Sequence, residues 1–176
     1  MEKERTENIS EIRIYVACLA SYNNGVLHGQ WIDATQGADH IWDEIEQVIK
    51  TSPTKGAEEH AIHDYEGFED IGISEYLDID TVCEIAEFIQ KHGELGSALY
   101  CELNDIDDCK AYLSDNYQGQ YRSLADYAQE LTEETTQIPK SLQYYIDYEK
   151  MGRDLEINDV LAIETSFDEI HIFWRS

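Results

Sequence analysis

The stretch Ile12-Arg13-Ile14-Tyr15-Val16-Ala17-Cys18-Leu19-Ala20, with the segment that follows it to Asp33, decides the fold class. Its nine residues are rich in Ile, Val and Tyr and carry one charge, which reads as a buried strand. Ser21-Tyr22-Asn23-Asn24-Gly25 is turn chemistry, and Val26 to Asp33 reads as a second strand. The two make a hairpin with a longer loop. The period then changes. From Ala38 to Lys50, Ile41, Trp42, Ile45, Val48 and Ile49 fall on one helical face, with Asp43, Glu44 and Glu46 mostly on the other. Past a loop containing Pro53 and Gly56, Glu59 to Tyr65 alternates as a third strand. A small antiparallel sheet with one helix is an α+β unit, and it closes at residue 61.

The rest of the chain extends this reading. Asp80 is a good N-cap for a helix carrying Val82, Ile85, Ala86, Phe88 and Ile89, and Gly93 is a suitable terminator. Short helices are predicted around Ser74 to Leu77 and Leu95 to Leu103, so the middle reads as a helical bundle. In the last third, Asp105 caps a helix with Ile106, Cys109, Tyr112 and Leu113 inward. Tyr117 to Arg122 is a short strand. Leu124 to Thr132 and Leu142 to Met151 are amphipathic helices. Val160 to Thr165 and Glu169 to Trp174 form a closing hairpin. The expected fold class is α+β, elongated, with three small domains at 1–61, 62–103 and 104–176.

Composition sharpens this. The 176 residues hold 38 Asp and Glu against 12 Lys and Arg, a formal net charge of -26. Clustered Lys and Arg are what DNA, RNA and anionic lipid require, so direct binding to any of them is disfavoured. Disorder is disfavoured too, because 42% of residues are apolar and 11% aromatic. Such a charge in one compact ball would repel itself, which favours an elongated body. The three segments carry net -6, -10 and -10. No Lys or Arg occurs from Gly56 to Gln90, a window holding 11 acids. The acids recur every few residues between apolar anchors, unlike the like-charge blocks of an acidic tail. Because B-DNA carries about one charge per 1.7 Å, this net charge matches roughly 44 Å of duplex, about 13 base pairs.

Chemical motifs are sparse. Cys18, Cys83, Cys101 and Cys109 form no C-x-x-C pair and read as reduced core thiols. His60-x-x-His63-Asp64 lacks a third converging ligand for zinc. Asp78-Ile79-Asp80 and Asp105-Ile106-Asp107-Asp108 lack the glycine and glutamate of a calcium loop. Neither nucleotide-binding glycine motifs nor a nucleophile elbow is present. The expectation is a binding protein with no catalysis, metal or cofactor. Met1 to Ile12 is polar and the longest apolar stretch is too short to span a bilayer, so a cytoplasmic location is expected.

Three stretches carry a resemblance. The first is Tyr15-Val16-Ala17-Cys18-Leu19-Ala20-Ser21-Tyr22-Asn23-Asn24-Gly25, continuing through Gln30-Trp31-Ile32-Asp33. The second is Glu59-His60-Ala61-Ile62-His63-Asp64-Tyr65-Glu66-Gly67-Phe68. The third runs from Asp115-Asn116-Tyr117-Gln118-Gly119-Gln120-Tyr121 through Ser123-Leu124-Ala125-Asp126-Tyr127-Ala128 to Tyr145-Ile146-Asp147-Tyr148-Glu149-Lys150-Met151-Gly152-Arg153-Asp154-Leu155. In this order and spacing they resemble the ArdA antirestriction proteins over residues 12 to 175. The resemblance implies elongated three-domain α+β homodimers, carried on mobile elements, that mimic bent B-form DNA. It implies that they occupy the DNA-binding groove of type I restriction-modification enzymes, mainly the methyltransferase core, without catalysis or cofactor.

Carboxylates would then stand in for phosphates. The expected surface comprises Glu66, Glu69, Asp70, Glu75, Asp78, Asp80, Glu84 and Glu87, then Asp105, Asp107, Asp108, Asp115, Asp126, Glu130, Glu133 and Glu134. Gln118 and Gln120 depart locally from the acids expected there. Tyr144, Tyr145, Tyr148 and Phe173 read as core first and as dimer contacts second. Two other functions compete: an acidic adaptor for another basic DNA-binding protein, and a hydrolase using an Asp/Glu pair.

Overall fold

The computed structural model describes residues 11–176. The chain divides into two compact units, the first ending at Ser97 and the second running from Ala98 to Ser176. Both combine helices with a three-stranded antiparallel sheet, as expected for α+β.

In the first unit, β1 (Arg13–Cys18) is the central strand, between β2 (Gly29–Asp33) and β3 (His60–Glu66). Ile14 sits opposite Ile32, and both are fully buried. β3 continues past residue 61 within this sheet, because Ile62, Asp64 and Tyr65 still pair with β1. The strand expected to reach Ala20 ends earlier. The chain turns into α1 (Leu19–Asn23), where the buried Ser21 hydroxyl lies 2.8 Å from Ser52 Oγ and 3.1 Å from Thr54 Oγ1. These polar contacts favour a local turn over a ladder. β2 starts at Gly29 rather than Val26. A Cβ on Gly29 would lie 2.4 Å from the Val16 carbonyl oxygen, so the close strand approach requires glycine there.

α2 (Ala38–Lys50) has the predicted bounds and buries Ile41, Ile45 and Val48. Trp42 and Ile49, expected on that apolar face, stand at its margin instead, exposed and half-buried respectively. No helix forms at Ser74 to Leu77. That segment is a turn tied along β3 by a bond from Ile62 N–H to the Glu75 carbonyl, 2.9 Å. Its apolar approach, Phe68, Ile71 and Ile73, is buried.

α3 (Ile79–Leu103) starts one residue before the expected cap. Asp78, not Asp80, caps it, its carboxylate accepting from Thr81 N–H at 3.2 Å. Gly93 (φ 59°, ψ -143°) interrupts the helix, which resumes at once. That backbone region is essentially restricted to glycine.

In the second unit the end of α3 is followed by α4 (Ile106–Ala111), capped as predicted by Asp105, whose Oδ1 accepts from Asp108 N–H at 2.9 Å. A π-helical turn, Tyr112–Asn116, leads into β4 (Tyr117–Tyr121). β4 pairs with β6 (Glu169–Trp174), which pairs with β5 (Val160–Ser166). The Ser123 hydroxyl caps α5 (Leu124–Thr135).

The helix expected over Leu142 to Met151 is displaced. Lys140–Leu142 is a single 3-10 turn, and α6 runs Tyr148–Asn158. Asp147 supplies the decisive start, accepting from Lys150 N–H at 3.0 Å. Leu142, Tyr144 and Tyr145 are therefore exposed rather than core, Tyr148 is half-buried, and Phe173 is fully buried. Tyr127, Val160 and Ile172 form the centre of this unit's core.

Cys18, Cys83 and Cys109 are buried as expected, while Cys101 is exposed. Burial pushes the Cys83 and Cys109 thiols up to about 11. Among the described residues, no helix is long and apolar enough to cross a membrane.

α5 and α6 meet at a residue that can only be small. A Cβ on the buried Gly152 would lie 2.8 Å from the Leu124 carbonyl carbon. Gly152→Val is expected to destabilise the protein by about 1–3 kcal/mol, as overpacking does. Chemical denaturation checks this; an unchanged midpoint would contradict the close helix contact.

Candidate functional site

The site begins with a rule about water. A carboxylate buried without a partner is prohibitively costly, so acids stay at the surface while neighbouring apolar residues are buried. Here the rule holds throughout the described chain. Every Asp and Glu from Glu11 onward is exposed except Glu44 and Glu169, which are half-buried. All sixteen acids singled out from the sequence are among the exposed ones.

The helices order them. On α3, Val82, Ile85, Ala86 and Ile89 are buried, which turns Asp80, Glu84 and Glu87 outward. These three stand at i, i+4 and i+7, a single stripe with axial rises of about 6 and 4.5 Å. On α5, burial of Tyr127 and Ala128 leaves Asp126, Glu130, Glu133 and Glu134 on a second such stripe. Glu130 and Glu134 also face Tyr121. Burial first, and then their charge, raises that phenol above its ordinary range.

Asp107 and Asp108 occupy the first turn of α4 behind the capping Asp105. Asp115 lies in the π-helical turn and accepts from Ser114 Oγ at 3.0 Å. Glu69 and Asp70 project from the turn after β3, with Glu69 in the left-handed region at φ 51°.

Three of the sixteen have a nearby basic side chain among the described residues. Arg13 faces Glu66 across the β1–β3 pair and donates to its Oε2 through Nε (2.8 Å) and Nη2 (2.7 Å). Glu75 lies 3.6 Å from His63 Nε2, and Asp107 3.9 Å from Lys110 Nζ. The structure thus takes Glu66 into a local pair, while the α3 and α5 stripes have no ion-pair partner among the described residues.

One stripe escaped the sequence-based selection. Asp39, Asp43 and Glu46 on α2 repeat the i, i+4, i+7 spacing and are all exposed, with Glu46 paired to Lys50 at 2.9 Å. The helical spacing that marked α2's apolar face also marks this one.

The histidine pair does not converge. The His60 ring packs on Trp42 (centroids 5.5 Å) and the His63 ring on Tyr22 (4.6 Å). Among the described residues, no group of three or more His, Cys, Asp or Glu is placed to hold a metal ion.

A family model described as antirestriction protein (ArdA) matches residues 14–169. The chain belongs to the ArdA family. No curated protein matches it. Membership implies an antirestriction function.

Some carboxylates of this ArdA protein also hold its fold, which matters for any substitution. Asp78 and Asp105 cap helices, while Asp107 is bound only loosely. Asp105→Ala is expected to cost about 1 kcal/mol, whereas Asp105→Asn keeps the cap. Asp107→Asn is expected to be nearly neutral. Urea denaturation of the three variants checks this order; equal loss from Asp105→Asn and Asp105→Ala would contradict the capping role.

Proposed function

We propose that this protein is a DNA mimic that inhibits type I restriction-modification enzymes by occupying the DNA-binding groove of their methyltransferase core. Restriction is then blocked, and modification with it wherever both use that groove. The observation that supports this reading best is the exposed, largely unpaired carboxylate array on folded elements. A second observation supports it. Glu133 and Glu134 sit in the last turn of α5, which holds no basic residue. Negative charge there opposes the helix macrodipole, and the hydrogen bond from Gln129 Nε2 to Glu133 Oε1 at 2.9 Å offsets only part of that cost.

In this reading the carboxylates meet the Lys and Arg that grip DNA phosphates. Long-range attraction speeds encounter, and release of condensed ions adds affinity. Selectivity comes from the curve and spacing of the charges, since no base edges exist to be read. The protein works without catalysis, in the cytoplasm, as a homodimer. The exposed Tyr144 and Tyr145 are its candidate dimer contacts.

The test is competition between this protein and DNA for a type I methyltransferase. Excess inhibitor is expected to abolish DNA binding. Each exposed charge is worth about 0.2–1 kcal/mol, so a single Asp→Asn change weakens inhibition at most about five-fold. Replacing Asp80, Glu84 and Glu87 together by Asn and Gln is expected to weaken it by about three-fold to a hundred-fold. Undiminished DNA binding under excess inhibitor would refute the proposal. Equal competition against unrelated DNA-binding proteins would favour a general acidic adaptor instead.

A further inference from the structure

One carboxylate group in the first unit differs from the rest because it surrounds a concavity with an aromatic wall. The concavity has a volume of about 380 Å³. Ile45 and Ile49 of α2 line its apolar part, and Trp42 supplies the aromatic face. Asp43 and Glu46 on α2, and Glu58 just before β3, supply three carboxylates. Trp42 is 42% exposed although helical spacing assigns it to the apolar face of α2. Its ring is held edge-on by His60, with an interplanar angle of 89°. Burial lowers His60 below the usual imidazole range, which disfavours its charged form beside a cation. Asp43 and Glu58 have no ion-pair partner among the described residues. Glu46 meets only Lys50, in an exposed i, i+4 pair of the kind that contributes little.

An indole face beside an apolar floor, with carboxylates around it, is not a phosphate imitation. It is complementary to a guanidinium, which is planar, weakly hydrated, stacks on aromatic rings and donates hydrogen bonds from its edge. The more strongly hydrated ammonium of lysine lacks the planar face. We propose that this pocket receives one arginine side chain of a protein partner, as an anchor that shares Asp43 and Glu46 with the α2 stripe and adds an aromatic wall to them. The partner's identity rests on the function proposed above; the chemistry of the pocket does not. Trp and Arg are the residues that most often dominate interface energetics, and a pocket is where they do so.

The experiment follows the indole N–H resonances of Trp31, Trp42 and Trp174 by NMR while N-acetyl-arginine methylamide is titrated in, then the equivalent lysine derivative. The expected result is a saturable shift at Trp42, several-fold weaker with lysine and absent at the other two indoles. A Glu46→Gln, Glu58→Gln double variant, altered only at exposed positions, should lose it. Absence of the Trp42 shift, or equal shifts with lysine, would overturn the inference. Trp42→Ala, which removes the aromatic wall and no charge, is then compared with wild type in methyltransferase competition, where several-fold weaker inhibition is expected. Wild-type inhibition by the folded Trp42→Ala variant would overturn the pocket and leave mimicry intact. A Trp42 shift with arginine, alongside wild-type failure to inhibit, would refute the mimic reading and leave the pocket standing.

Discussion

Mutual repulsion between carboxylates, and their need for water, is the constraint on which the rest of this structure depends. The first unit holds 21 Asp and Glu against 6 Lys and Arg, and the second 17 against 6. Charge of one sign at this density opposes compaction. The chain folds because burial is delegated to closely spaced apolar residues: Ile14, Ile32 and Ile41 in one unit, Tyr127, Val160 and Ile172 in the other. Each apolar anchor that turns inward turns a neighbouring acid outward. The same periodicity that builds the cores therefore builds the surface array.

That array breaks local rules of helix design. Like charges at i, i+4, such as Asp80 and Glu84 or Asp126 and Glu130, each cost a few tenths of a kcal/mol. No basic residue occupies the last turn of α3 or α5. Departures of this kind are expected where function rather than folding selects the residues. Caps at Asp78, Asp105, Ser123 and Asp147 and the two antiparallel sheets offset part of the cost.

Much of this was legible from residue order. The β1–β2 hairpin, α2, the Asp105 cap and the β5–β6 hairpin follow from period and turn chemistry. Three of the misreadings share a cause, competition between nearby polar cappers or turn formers. Asp78 outcompeted Asp80, Asp147 displaced a helix expected from Leu142, and Ser21 ended β1 early. Exposure of the acids was readable one residue at a time. Glu66 was not readable as a paired residue, because Arg13 lies far away in sequence and meets it only through strand register. The Trp42 pocket was hidden for the same reason, since Glu58 and His60 arrive from a different element.

The central claim is that these carboxylates work collectively through their charge. Its most direct measurement is the affinity of the protein for a type I methyltransferase across salt concentrations, for wild type and for variants with successive stripes neutralised. The account predicts that affinity falls steeply with salt, and that the log–log slope becomes shallower with each stripe removed. An affinity indifferent to salt, or a slope unchanged after Asp80, Glu84, Glu87, Asp126, Glu130, Glu133 and Glu134 are all neutralised in a folded protein, would contradict it.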